Sequence, residues 1–243
     1  MAVALLTQAS PAAAIENALY AWLLLEHTSE VEDLARVRVD YQQLRGSAEW
    51  SQLVRSLERS QPKSLSTREE RLAFWINAYN ILAIGIVQQN YPVGSIKDIG
   101  SFFSPVWDRP AGRIAGESYR LGQIEHEILR PMGDPRIHGA IVCASLSCPP
   151  LQREPFRAET LDAQLDAHLR SWPADTRKGV RVDAARNTLV VSKTFRWFEE
   201  DFEVRGGVEP FIGSYLSEEA AAGLGSRPRL EYFDYDWSLN RLN

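Results

Sequence analysis

Apolar residues recur at helical spacing through most of the first ninety positions. Ile15–Glu26 is rich in apolar, helix-forming residues, and Val31–Leu44 and Ala48–Leu57 set theirs on one face with Arg and Glu opposite. Ser66–Glu69 and Thr67–Glu70 both have the spacing of a capping box, in which a hydroxyl and a carboxylate satisfy free amides at a helix start. A long helix is expected from there to about Gln89, stopped by Tyr91-Pro92-Val93-Gly94. Beyond it the pattern shortens. Ile96–Trp107 is aromatic and irregular, Arg113–Tyr119 predicts a hairpin around Gly116, and Leu121–Arg130 predicts a helix ended by Pro131 and Gly133. Ile137–Ala144 reads as a buried strand and Glu159–Trp172 as an amphipathic helix ended by Pro173. Val180–Asp183 and Thr188–Ser192 read as a second hairpin, Thr194–Phe202 and Gly207–Leu216 as short helices, and Arg229–Tyr235 as a last strand.

This order gives an α+β (mixed α/β) single domain, with a helical N-terminal region packed on a small sheet. A disordered lead-in over 1–14 is expected, then the helical region over 15–63 and the α+β domain over 64–243. The lead-in, MAVALLTQASPAAA, mildly resembles a signal peptide but lacks a basic start and a long apolar run, so a cytoplasmic location is expected over export.

Composition narrows the function by exclusion. Of 243 residues 44% are hydrophobic, enough for a sizeable core, and the formal net charge is −5. A weakly acidic chain without a basic block argues against nucleic acid as partner. No run reaches the roughly 18–20 apolar residues of a membrane span; the nearest, Leu72–Val87, contains Asn77 and Asn80. Two cysteines are too few for a disulfide framework.

Both cysteines, Cys143 and Cys148, fall in Arg136–Leu151, RIHGAIVCASLSCPPL, with His138. Proline favours the first helical position, so Cys148 before Pro149-Pro150 is placed at a helix N-cap, where the positive end of the helix stabilises a thiolate. On a strand from Ile137, Cys143 and His138 point to opposite faces, which marks Cys143 as the structural residue of the two. A thiol nucleophile needs a base, and His138 and His126 are the candidates, with Glu125 beside His126. Adjacent helical positions diverge by about 100°, which separates Glu125 from His126. His27 and His168 read as surface residues. The bland alternative is a small buried thiol and hydrogen-bonded structural imidazoles. In Phe74–Asn80, FWINAYN, Asn77 and Asn80 share a helix face, as a ligand contact or as a structural bond to a neighbouring loop. His126, His138, Cys143 and Cys148 are zinc-type ligands, but the Cys-x4-Cys spacing and the strand parity oppose a site, and no metal is assigned. A Cys143–Cys148 disulfide is an alternative for an exported chain. G-x-S-x-G, Walker and dinucleotide motifs are absent from the sequence, and no cofactor is called for.

FWINAYN (Phe74–Asn80), IEHEILR (Ile124–Arg130), RIHGAIVCASLSCPPL (Arg136–Leu151), VSKTFRWFEEDF (Val191–Phe202) and FDYDWSLN (Phe233–Asn240) together resemble, in order, the blocks of the domain-of-unknown-function 547 family. The resemblance runs from about Thr67 to the C-terminus. It places Asn77, Asn80, Glu125, His126, His138, Cys143, Cys148, Lys193, Asp236 and Trp237 inside family motifs. Trp75, Tyr79, Phe195, Trp197 and Trp237 supply aromatic walls for a cleft. The parts are also similar to the papain-like and transglutaminase-like class, although here both histidines precede Cys148 and a permuted order is required. The reading is a thiol-dependent hydrolase or acyl transferase on a peptide or amide. Cys148 is its nucleophile, and His138 or His126 its base. Glu125 or an asparagine from the Phe74 helix orients the imidazole, backbone amides after Cys148 hold the oxyanion, and Asn77, Asn80, Arg136, Lys193 and Trp237 contact substrate. The alternatives are a binding module for a small thiol peptide such as glutathione, its carboxylates held by arginines, and a structural or interaction domain docking through the helical N-terminus.

Overall fold

The computed structural model describes residues 15–242 as helices with three small sheets, an α+β fold. The lead-in expected over 1–14 lies outside the described residues. Helix α1 (Asn17–His27) buries Tyr20, Leu23, Leu24 and His27. It runs straight into strand β1 (Thr28–Glu30), which pairs antiparallel with β2 (Val37–Val39). A hairpin and the one-turn helix α2 (Tyr41–Leu44) thus replace the single helix expected over Val31–Leu44. Val37 and Val39 point inwards around the more exposed Arg38, the period-two alternation of a strand. Helix α3 (Ala48–Arg59) starts where Ser47 Oγ accepts from the Trp50 amide, and it inserts Trp50, Leu53 and Leu57 as an i, i+3, i+7 stripe.

Helix α4 (Arg68–Asn90) is the axis of the core. Of the two capping-box spacings, Thr67 and Glu70 carry the full reciprocal box: the Glu70 amide donates to Thr67 Oγ1 at 3.0 Å and the Thr67 amide to Glu70 Oε2 at 2.9 Å. From Leu72 to Gln88 the helix is buried on every side, so it needs apolar residues all round rather than one stripe. Its two internal amides are hydrogen-bonded to main chain. Asn77 donates to the Phe156 carbonyl at 2.8 Å and accepts from the Phe156 amide at 2.9 Å. Asn80 donates to the Ala140 carbonyl at 2.9 Å and accepts from the Val142 amide at 2.9 Å. Each side chain acts as a partner strand would, satisfying a loop that has no strand beside it. Both are 2% exposed, and the bond to a neighbouring loop is the alternative the structure takes for them.

Strands β3 (Pro110–Ile114) and β4 (Glu117–Arg120) form the expected hairpin. Its turn holds Ala115 at φ 52° and Gly116 at φ 79°, the left-handed pair that a tight hairpin requires. Helix α5 (Leu121–Gln123) widens at once into a π-helical turn over Ile124–Leu129. The strand expected over Ile137–Ala144 is absent. Helix α6 (Ile137–Ala140) is a single turn, followed by extended chain hung on Asn80. Gly139 lies so close to the Leu169 side chain that a Cβ there would collide with it, so α6 packs tightly on α7 (Leu161–Ala174). His168 on α7 and His27 are buried rather than at the surface. Strands β5 (Val180–Asp183) and β6 (Thr188–Val191) pair antiparallel, and β7 (Arg229–Tyr232) joins β6 in parallel. Helices α8 (Lys193–Trp197), α9 (Val208–Gly213) and α10 (Glu218–Ala222) complete the chain, with a 3-10 turn over Glu199–Arg205 after α8. Among the described residues no helix is long and apolar enough to cross a membrane.

Replacing Asn80 by Ala should destabilise the chain by about 2–4 kcal/mol, because it leaves a buried carbonyl and a buried amide unpaired. Urea unfolding reads this directly. A loss below about 0.5 kcal/mol would show that water or a shift of the loop replaces the clamp.

Candidate active site

The π-turn after α5, the loop after α6, helix α8 and the C-terminal segment converge on a cavity of about 370 Å³. Glu125, His126, His138, Cys143 and Cys148 all reach its wall, and Trp107, Trp197, Tyr235 and Trp237 make much of the rest.

The loop carrying the sulfurs is bent sharply and held from two sides. Ala144 sits at φ 58°, a left-handed conformation that costs a residue with a Cβ about 1–2 kcal/mol. The C-terminal segment runs across the loop as a strap. The Leu146 amide donates to the Ser238 carbonyl at 2.9 Å, the Asp236 amide to Ser147 Oγ at 2.9 Å, and the Asn240 amide to the Ala144 carbonyl at 3.0 Å. This is the structural reason for the WSLN block. Lys178, buried, donates to the carbonyls of Ala35, Leu146 and Cys148 at 3.3, 3.0 and 2.7 Å. Its desolvation lowers the ammonium pKa to about 8.

The two sulfurs lie 3.0 Å apart as free thiols, and the Cys143 amide donates to Cys148 Sγ at 2.9 Å. The hydroxyls of Ser145 and Tyr235 both lie 3.2 Å from Cys143 Sγ. Hydrogen bonding from Cys148, then from the two hydroxyls, outweighs burial and brings the Cys143 thiol down to about 6. Burial, and next the bond to Cys143, push Cys148 well up. Of the two thiols it is thus Cys143 that is pulled towards the thiolate, with Cys148 its buried neighbour. No helix follows Pro149; the next helical turn is Ala158–Thr160, so a helix dipole is not what acts on either sulfur. The parity argument that set Cys143 aside falls with the strand.

His138 Nε2 donates to Asp201 Oδ2 at 2.6 Å, and Arg130 grips the same carboxylate with two bonds of 2.7 and 2.9 Å. The His138 ring stacks on Phe198 with centroids 4.1 Å apart. Burial lowers the His138 pKa against the pull of Asp201, so the ring is neutral near pH 7. The hydrogen-bond network assigns its proton to Nε2, leaving Nδ1 as a buried acceptor without a partner. His126 Nδ1 accepts from Arg130 at 3.1 Å. Neither of these rings is hydrogen-bonded to a sulfur. Glu125, 6% exposed, has Tyr79 Oη at 3.4 Å. Burial first, and then the charge of Cys143, push its carboxyl up to about 7. The π-turn replaces the regular helix expected there, and Glu125 and His126 both face the cavity from it.

Residues 62–172 match the model of a family described as a protein of unknown function, DUF547. They form a DUF547 domain. Neither the curated proteins nor the solved structures contain a match to the chain. The DUF547 domain holds the first three of the five sequence blocks, and with them Glu125, His126, His138 and both sulfurs. Trp197, Tyr235 and Trp237 come from beyond the matched segment and close the cavity on its side chains, and Asp201, also beyond it, holds the His138 ring from outside the cavity wall.

Other expected residues lie elsewhere. Arg136 bridges Asp134, Asp162 and Asp166 at 2.7, 2.6 and 3.0 Å. Lys193 pairs with the exposed Asp234 at 3.3 Å. Trp75 and Phe195 are core residues, whereas Trp237 is in the wall, stacked on Trp197 at 5.6 Å with the Lys97 ammonium 4.8 Å over its ring. Among the described residues no group of three or more His, Cys, Asp and Glu side chains is arranged to hold a metal ion. Asp201, Ser145, Tyr235 and Phe198 were not singled out from sequence. All four lie inside the blocks quoted above, and that membership was the available signal.

The raised carboxyl of Glu125 has a measurable consequence for stability. Its pKa goes from 4.5 to about 7 on folding. The folded state thus holds the proton more tightly, and relative to a neutral isostere stability is intact below pH 4.5 and lost as pH rises through about 7. Glu125→Gln should match the parent near pH 4 and exceed it by on the order of 3 kcal/mol at pH 8. Equal differences at the two pH values in denaturant titrations would contradict an upshifted Glu125.

Proposed function

We propose that this protein is a cysteine-dependent acyl hydrolase or transferase acting on an amide or ester, with Cys143 as nucleophile. One observation carries the reading: the Cys143 sulfur and the His138 ring line the same cavity, and Asp201 orients that ring from behind the wall. Asp201 positions the His138 ring and fixes its tautomer, so the free Nδ1 is the base. In the first step the Cys143 thiolate attacks the acyl carbon, and the carbonyl π pair moves to oxygen. Ser145 and Tyr235, which hold the sulfur's charge beforehand, are then free to donate to that oxygen as the charge migrates. Glu125, partly protonated near neutral pH, gives its proton to the departing amine or alkoxide. In the second step a water or a second nucleophile loses its proton to His138 Nδ1 and attacks the thioester, restoring the thiolate. The proton then returns from His138 to Glu125 through solvent.

The proposal differs from the sequence reading in its nucleophile, in its orienting carboxylate and in its oxyanion donors. The oxyanion donors are hydroxyls, since the Cys143 amide is already bonded to Cys148 Sγ and no helix begins after the double proline. The glutathione-binding alternative has less support, because the described cavity wall contains no arginine to clamp a carboxylate. Arg136 and Arg153 are bonded elsewhere, to acidic groups and to the Thr28 region.

Intact mass and peptide mapping after mixing the chain with a short-chain p-nitrophenyl ester test the proposal. The acyl group should appear on Cys143 and be absent in Cys143→Ala. His138→Ala should slow release of the acyl group by about 10²–10⁴ so that the adduct accumulates. Acylation confined to Cys148 or to lysines, or release unaffected by the His138 change, would overturn the assignment.

A further inference from the structure

Cys143 and Cys148 do not stand in equivalent places. Cys143 is half-buried at the cavity wall, while Cys148 is 5% exposed and lies against it. The main chain itself holds them together, through the 2.9 Å bond from the Cys143 amide to Cys148 Sγ, and the sulfurs are 3.0 Å apart. A closing movement of about 1 Å reaches disulfide bonding distance, near 2.05 Å. The loop between them is gripped by the C-terminal strap and by Lys178, so the second thiol stays at high effective concentration beside the first. A cavity of about 370 Å³ is large enough to admit a small organic disulfide.

We propose that the pair is a thiol–disulfide exchange site, at which a small organic disulfide entering the cavity is reduced and Cys143 and Cys148 are left joined. The Cys143 thiolate attacks one sulfur of R–S–S–R along the S–S axis. The S–S bond breaks, one R–S⁻ departs, and Cys143 carries the R–S group. With the Cys143 charge gone, its hydrogen bond to Cys148 and its repulsion of a second charge are lifted, which leaves burial as the one effect still holding the Cys148 proton in place. Cys148 Sγ attacks Cys143 Sγ, forming the internal bond and expelling the second R–S⁻, while its proton passes to an expelled thiolate. Two protein thiols are oxidised and one disulfide is reduced to two thiols, so electrons balance without a further reagent. The depressed Cys143 thiol favours the first step, because the thiolate is the attacking species.

The joined form has no free sulfur at the cavity wall, so it cannot accept an acyl group. That consequence rests on the acyl-transfer reading above; the exchange itself does not.

The experiment treats the native full chain with excess 2-hydroxyethyl disulfide, quenches with acid, and reads intact mass and a non-reducing peptide map. The parent should lose the mass of two hydrogens and yield a Cys143–Cys148 linked peptide. Cys148→Ser should stop with one hydroxyethylthio group on Cys143, and Cys143→Ser should react at no more than about a tenth of the parent rate. A parent that stops as a mixed adduct with Cys148 free overturns the proposal. So does a Cys143→Ser variant modified at the parent rate, or a parent that does not react at all. Because the readout is sulfur mass and not acyl transfer, a chain that forms the bond but takes no acyl group keeps this inference and loses the function proposed above, and the converse result does the reverse.

Discussion

A thiolate in a cavity walled largely by carbon is stable only when hydrogen-bond donors replace the water it has given up. Around Cys143 the groups in reach are a second thiol at 3.0 Å and two hydroxyls at 3.2 Å, with Ser145 donating on to Tyr235. They come from two constraints. Ser145 and Cys148 follow from the bend of the loop, whose left-handed Ala144 turns the chain back on itself. Tyr235 follows from the C-terminal strap, which hydrogen-bonds along the same loop. If the loop straightens or the strap lifts, the sulfur loses its donors and returns towards an ordinary thiol.

The rest of the fold keeps that loop in place. Loops seldom run through a core, because their peptide groups lack partners there. This one does so because Asn80 pairs with Ala140 and Val142 on one side and Lys178 caps the Leu146 and Cys148 carbonyls on the other. Asn80 and Lys178 are thus the reason the cysteine loop can lie beside the central helix. His138 gains from the same arrangement: the turn of α6 sets its ring against Phe198, and the Arg130–Asp201 pair holds Nε2.

Elements whose causes are local were legible in the sequence. The long helix α4 carries its own start signal in Thr67 and Glu70, and the β3–β4 turn its own Gly116. The cysteine segment was not legible in this way. The run Ile137–Ala144 has strand composition, yet its shape is set by a side chain about sixty residues upstream. The Pro149-Pro150 step suggested a helix start, but proline at a first turn is permitted rather than compelled. The site's location in RIHGAIVCASLSCPPL was readable because both sulfurs lie there. Which sulfur is the more acidic was not readable, since that depends first on how the bent loop sets Cys148 and Ser145 against Cys143, and then on Tyr235, 92 residues away. Asp201, 63 residues from His138, was out of reach for the same reason.

The account stands on the charge of one sulfur, and the most direct test is the pH dependence of its alkylation. Native chain is pulsed with iodoacetamide across the range from acid to mildly alkaline pH, and each cysteine is scored by peptide mapping. Cys143 should react first, with a midpoint near 6, while Cys148 stays unmodified until the chain is unfolded. A Cys143 midpoint at the ordinary thiol value, about 8.5, or a Cys148 that reacts first, would contradict it.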